Sequence, residues 1–417
     1  MHWFAALFAF FLLASLAVRS WLNQRQIAAV SARRNNPPAA FAQYIDLSAH
    51  RKAADYTVAN AHINRWDMLL DALIALALTL GGGIAAIDRW WRLTELSSVW
   101  LGGAVVLSTM LLVAAAGLPL SLWRTFGVEA RFGFNRTTPG LYAVDLLKSL
   151  LLSVALGGPL ILVVLYLMER AGALWWLYAW FVWVGFSVLM IWAWPTLIAP
   201  LFNKFTPLTD AELRRRSETL LARCGFESKG VFVMDGSRRS VHGNAYFTGV
   251  GRSKRIVFFD TLLERLQAPE VEAVLAHELG HFKLNHIRIR LAVSMLAGLF
   301  ALALLGVLAQ WEGFYQAFHI SRPAPHTALL LFMFVLPAFT YFLTPLGAWW
   351  SRKHEFEADE FAAQHADARQ LADALVKLYR DNASTLTPDR LHSAFYDSHP
   401  PALVRIARLQ QLASARS

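Results

Sequence analysis

The chain has 417 residues, 39 lysines and arginines against 29 aspartates and glutamates, and one cysteine, Cys224. With 56% hydrophobic and 16% charged residues and a mean hydropathy of +0.39, it carries more apolar side chain than a soluble fold, where about 45–50% apolar and 25% charged is usual. That excludes intrinsic disorder, the lone cysteine excludes a disulfide-stapled secreted fold, and in so apolar a chain the net charge of +10 points to an anionic membrane surface rather than to nucleic acid.

A helix needs about 20 apolar residues to cross a bilayer. Seven stretches qualify: 3–22, 68–87, 98–121, 149–168, 173–198, 288–309 and 327–349. The first lacks the basic start of a signal peptide, and Arg19 follows its apolar run, which favours a retained anchor with the N-terminus outside. The second is weakened by Asp71 and by Gly81, Gly82 and Gly83. The loops alternate in charge. Arg25, Arg33, Arg34, Arg51, Lys52 and Arg65 fill the first, Arg124, Arg131, Arg136 and Lys148 the third, and the fifth is long and basic; the others hold little beyond Arg89, Arg92, Arg170 and Arg322. The positive-inside rule then places the fifth loop and the C-terminus in the cytoplasm. Trp90, Trp91, Trp349 and Trp350 suit interfacial anchors or plain lipid-facing bulk. The expected organisation is five spans in 1–198, a cytoplasmic catalytic segment in 199–287, two spans in 288–349 and a completing tail in 350–417.

The fifth loop ends in AHELGHFKLNH, residues 276–286. Pro269 suits a first helical position, Glu270 and Glu272 the positive helix start, and Val271, Val274, Leu275 and Leu279 form an apolar stripe. On such a helix His277 and His281, four apart, share one face and can share a metal, with Glu278 beside them as a general base towards water. A metzincin would place a third histidine where Ile287 stands, so that class is excluded; His286 falls about 100° off the metal face and reads as a residue behind the ligands or at the interface.

The tail offers the alternative ligand, in SRKHEFEADEFAA at 351–363. Glu355 and Asp359 again share one helical face: Glu355 can ligate, and Asp359 can orient a ligand histidine. Glu357 and Glu360 read as a solvated acidic face, and His354 as a boundary residue. Two spans separate His281 from Glu355, so both return to the same side of the membrane. Upstream, VFVMD (231–235), NAYFTG (244–249) and RIVFFD (255–260) predict a small antiparallel sheet, whose edge could pair with an extended peptide or be a plain hairpin. Near the end, SHPP places His399 on a turn and Arg405 on a helix; either could face an oxyanion if near the metal.

Taken together, EARFGFN (129–135), HGNAYF (242–247), KRIVFFDTL (254–262), HELGHFKLNH (277–286), EFEAD (355–359) and SHPP with Arg405 resemble the integral-membrane zinc CAAX prenyl endopeptidases, the type I family. The resemblance implies one zinc ion on His277, His281 and Glu355, with Glu278 as base. It also implies Asn244, Ala245 and Tyr246 on a substrate-binding edge strand, and His399 and Arg405 lining the site. The implied fold is mainly α, with about seven spans enclosing a chamber and a cytoplasmic gluzincin-type zinc protease domain. The implied substrate is a peptide or protein, prenylated or membrane-anchored, cut by a monomer embedded in lipid and making no contact with nucleic acid. The tail lacks a dilysine retrieval ending and is rich in Ala and Arg, which favours a bacterial inner membrane over an endoplasmic reticulum. Three alternatives stand beside this reading. A quality-control protease of the heat-shock type differs only in substrate. A site-2-type intramembrane protease would need an Asp-Gly after the HExxH, whereas Asp235–Gly236 precedes it. A transporter with a structural metal would give Asp71 a pathway role.

Overall fold

The structure is a computed structural model that describes residues 2–226, 230–248 and 255–415. Gly249 and Lys254, which end two of the motifs above, lie outside the described residues.

Among the described residues six helices are long and apolar enough to cross a membrane: Trp3–Ala32, Ser98–Glu129, Pro139–Arg170, Gly172–Phe202, His286–Leu308 and Pro325–His365. A seventh span is a bent pair, Leu47–Leu78 and Gly83–Trp91, with a 55° angle between its halves. The glycines explain the bend. Gly82 has φ +74°, and a Cβ on Gly81 or Gly83 would lie 2.7 or 2.8 Å from the carbonyl oxygen of Ala77. The expected second stretch, 68–87, therefore straddles a break. Several helices also outrun their apolar cores: the last reaches His365 rather than residue 349, and the fourth starts at Pro139 rather than residue 149. Hydropathy marks only the lipid-facing part of a helix, and backbone bonding continues past it.

The sheet differs from the expected one in two ways. Among the described residues it has four strands: β1 (Phe205–Pro207), β2 (Val231–Met234), β3 (Ala245–Thr248) and β4 (Arg255–Phe259), in the order β1-β2-β4-β3. It is also mixed rather than antiparallel, because β2 and β4 run parallel in the middle. Ile256, Val257 and Phe258 are all buried, so β4 demands cover on both faces and takes the centre, while β3 moves to the outer edge.

The metal helix Ala268–Lys283 crosses the far end of Pro325–His365, called the closing helix below. Its start is held as the sequence suggests: Glu270 accepts from the backbone N–H of Gln267 at 2.8 Å and pairs with Lys377 at 2.6 Å. Val271, Val274, Leu275 and Leu279 are buried in one core with Ile256, Phe258, Leu371, Leu375, Ile406 and Leu409. A separate core, built on Phe8, Ile84, Leu101, Phe314, Phe318 and Leu331, ties spans together. Asp71 pairs with Arg19 at 3.6 Å.

Candidate active site

His277, His281 and Glu355 converge. The two Nε2 atoms are 3.3 Å apart, Nε2 of His281 is 3.2 Å from Oε1 of Glu355, and Nε2 of His277 is 3.5 Å from Oε2. Ligands at about 2.0–2.1 Å from a tetrahedral ion would lie about 3.3 Å from one another. Oε2 of Glu355 is buried and makes no hydrogen bond. Two imidazoles and a carboxylate at these spacings, with one carboxylate oxygen buried and unbonded, fit a divalent zinc ion.

This convergence depends on Gly280. A Cβ there would come within 3.1 Å of the Ala358 Cα and the Phe361 Cβ, so a side chain at this position would have to push the closing helix back by a few tenths of an ångström. Behind the ligands, Nδ1 of His277 lies 2.9 Å from Oδ1 of Asp359, as the four-residue spacing predicts. Burial and the Arg405 charge oppose a proton on His277, but Asp359 and Glu355 outweigh them and push its pKa up to about 9.

Arg405 reaches the site, yet it is only 4% exposed and fully engaged. Its Nε and Nη2 donate to the two Asp359 oxygens at 2.8 Å each, Nη1 lies 3.4 Å from Glu355, and Nη2 lies 3.2 Å from the His277 ring nitrogens. His399 is different. Its side chain is 62% exposed, with Nε2 3.6 Å from Oε2 of Glu355 and Nδ1 3.0 Å from the Ser398 hydroxyl. Glu278 is half-buried, and among the described residues its carboxylate has no hydrogen-bond or ion partner. Burial pushes its pKa up.

Ala245 and Tyr246 lie on the sheet's free edge, and Asn244 leads into it. The carbonyl of Asn244 accepts from the N–H of Phe259 at 3.0 Å. Backbone groups on an antiparallel strand alternate in direction, so Tyr246 turns inward to β4 while Ala245 and Phe247 face outward. The side-chain oxygen of Asn244 accepts from the N–H of Ala245 at 2.8 Å. The turn before the strand is pinned by the EARFGFN segment: the His242 ring stacks on Phe134 at 4.5 Å and lies 3.6 Å from Glu129, which also accepts from Tyr56 at 2.5 Å.

One expectation for the motif segments gains detail and one changes. His286 lies behind a ligand histidine, but not as a continuation of the metal helix. Asn285, with φ +60°, breaks it, and the turned chain brings Nδ1 of His286 within 3.0 Å of Nδ1 of His281. Glu357 is not simply solvated either, since its Oε2 lies 2.9 Å from Nε2 of His286. The asparagine at a helix end was the available signal for the first; nothing local signalled the second.

Comparisons with known proteins place the whole chain in a family. A model described as "CAAX prenyl protease N-terminal, five membrane helices" matches residues 26–204, and "Peptidase family M48" matches residues 207–413. The chain is 31% identical to the CAAX prenyl protease 1 homolog of Mus musculus, over 93% of this chain and 91% of that protein. It is 32% identical to the probable CAAX prenyl protease 1 of Schizosaccharomyces pombe, over 93% and 84%. The crystal structure of S. mikatae Ste24p superposes with a TM-score of 0.91 at 30% identity, covering 97% of this chain and 98% of that one.

Proposed function

The chain belongs to peptidase family M48, in its CAAX prenyl protease branch, and is a multi-span membrane metalloendopeptidase; from that premise we propose that His277, His281 and Glu355 hold one zinc ion and that Glu278 is the base beside it. The separations of 3.2, 3.3 and 3.5 Å among the two Nε2 atoms and the two Glu355 oxygens, with Oε2 buried and unbonded, carry this reading. Zinc bound there supplies a Lewis acid and lowers the pKa of water to about 7.

Glu278 takes the proton that the attacking water gives up and hands it to the leaving amine. Its unpaired carboxylate is free to do so, and its raised pKa brings it nearer working pH. His399, exposed at the rim, donates to the carbonyl oxygen as that oxygen gains charge. Arg405 has no such freedom, so its part is to hold Asp359 and Glu355 in place rather than to touch the peptide. The substrate backbone pairs with the outward groups of Ala245 and Phe247, and Asn244 braces that edge.

The substrate class is a C-terminal peptide following a prenylated cysteine, removed as a tripeptide, with the lipid group housed among the spans. The alternating loop charge supports a site on the cytoplasmic side.

The test is cleavage of a farnesylated peptide and its unmodified twin by the detergent-purified chain, with and without a zinc chelator, and with Glu278→Gln as the blank. Chelator-sensitive cleavage absent from the blank is expected, faster on the farnesylated peptide. A Glu278→Gln enzyme that cuts like wild type would overturn the assignment.

A further inference from the structure

Each of the two histidines read as ligands has a ring nitrogen left over once Nε2 faces the metal. For His277 that nitrogen meets the Asp359 carboxylate directly. For His281 it meets a second histidine, and the chain of contacts runs on. Nδ1 of His281 lies 3.0 Å from Nδ1 of His286, and Nε2 of His286 lies 2.9 Å from Oε2 of Glu357. His286 is 2% exposed, so no water competes for it. Its ring lies flat on that of His354, with centroids 4.0 Å apart and planes 3° from parallel, and Trp350 packs against the other end of that stack at 4.9 Å.

Proton counting gives this chain one direction. A neutral imidazole carries a single N–H. With Nε2 of His281 given to the metal, the proton of His281 sits on Nδ1 and is donated to Nδ1 of His286. His286 must then hold its own proton on Nε2, where Glu357 accepts it. Every donor meets one acceptor, and the run ends on a carboxylate. We propose that His286 and Glu357 are positioning residues for the ligand His281, fixing its tautomer and ring plane and strengthening it as a donor, with His354 as the plate that fixes the His286 ring. This rests on the reading of His281 as a ligand. The result is two tiers of support: Asp359 backs His277 at one remove, and Glu357 backs His281 at two.

His286, His354 and Glu357 also group closely enough to suggest a metal cluster of their own. Two features oppose that. Parallel stacked rings point their lone pairs side by side, so they do not converge on one ion. A metal on Nε2 of His286 would also force the His286 proton onto Nδ1, facing the one on His281.

The experiment measures zinc affinity by chelator competition, zinc per chain at saturation, and the visible absorption of the cobalt(II)-loaded protein, all on the full chain. His286→Leu is expected to weaken zinc binding about 10–100-fold, the range seen when such outer partners are lost. Glu357→Ala should weaken it less and shift the cobalt bands, and the melting temperature of its metal-free form should match wild type, since Glu357 is 39% exposed. His286→Gln and Glu357→Gln each keep an acceptor in place and should recover part of the loss. Affinities for His286→Leu and Glu357→Ala within twofold of wild type would overturn the proposal, as would two zinc ions per wild-type chain with one lost in His354→Ala. His281→Ala is the control for the underlying reading: if it binds zinc like wild type, the ligand assignment falls first and this inference with it.

Discussion

Where the metal helix crosses the closing helix, backbone meets backbone at Gly280, and a single added methyl would strike Ala358 at 3.1 Å. At two points along the spans the opposite holds: a Cβ on Gly117, in Ser98–Glu129, or on Gly185, in Gly172–Phe202, would meet nothing within 4 Å, whereas span glycines that face another helix, such as Gly103 and Gly306, abut side chains at 2.6 and 2.8 Å. The first region holds three ligand atoms to a few tenths of an ångström and needs a close-packed core under it. The second needs only to present apolar surface to lipid and to whatever lies inside. The catalytic crossing and these open stretches of the spans are thus built to different tolerances in one chain, and substitutions should separate them.

The largest effect is expected at the chemistry itself. Glu278→Gln keeps the shape of a side chain that makes no contact the fold depends on, so turnover should fall about 10²–10⁴-fold, as for loss of a general base. Zinc content, measured by elemental analysis, should stay at the wild-type level. Loss of zinc along with activity would mean that Glu278 is structural.

Arg405→Met attacks the support instead. It leaves the Asp359 carboxylate buried beside His277 with its bidentate partner gone. Breaking a buried pair this way costs about 3–5 kcal/mol. A lowered melting temperature in both metal-free and zinc-loaded protein is the expected result; an unchanged one would show that the guanidinium is dispensable to the fold.

The same carboxylates set a pH dependence. Metal can bind only to deprotonated His277, and its metal-free pKa of about 9 lies above that of an ordinary imidazole. Protons therefore compete with zinc up to about pH 9: affinity should fall about tenfold for each pH unit below that point and level off above it. Chelator competition across pH 7 to 10 reads this directly. An affinity already flat from pH 7 upward would show that Asp359 and Glu355 do not raise the His277 pKa as described.

How far the sequence anticipates these features follows from how local each one is. His277 and His281 are legible because four residues make one helical turn, and Glu355 and Asp359 because the same spacing recurs after two spans. The metal helix is legible from its apolar stripe and its Pro269 start. His286 is legible as a residue behind the ligands, but which ligand it backs is not, because one positive φ at Asn285 ends the metal helix and turns the chain towards His281. Glu357 was misread because an exposed-looking acid on a helix gives no hint of a partner 71 residues earlier in the chain. The parallel pairing of β2 with β4 depends on which strand needs cover on both faces, a tertiary demand that alternation within each strand does not reveal. The spans were legible as existing but not as ending, since Leu47–Leu78 and Pro325–His365 carry their charged turns beyond the apolar stretch.

The finest test uses one substitution in both regions. Gly280→Ala should push the two helices apart, because the atoms it would meet, the Ala358 Cα and O and the Phe361 Cβ, are backbone or next to it rather than the tip of a flexible side chain. Overpacking of this kind costs about 1–3 kcal/mol, and it should weaken zinc binding as well, since Glu355 moves away from the histidines with its helix. Gly117→Ala meets open space within a helix, where alanine is favoured over glycine by about 0.5–1 kcal/mol, so it should leave zinc affinity unchanged and raise the melting temperature slightly if it shifts it at all. Thermal melts and chelator competition on the two variants give the comparison. If Gly117→Ala destabilised as much as Gly280→Ala, the spans would be as tightly packed as the site, and an open interior able to house a lipid group would lose its support.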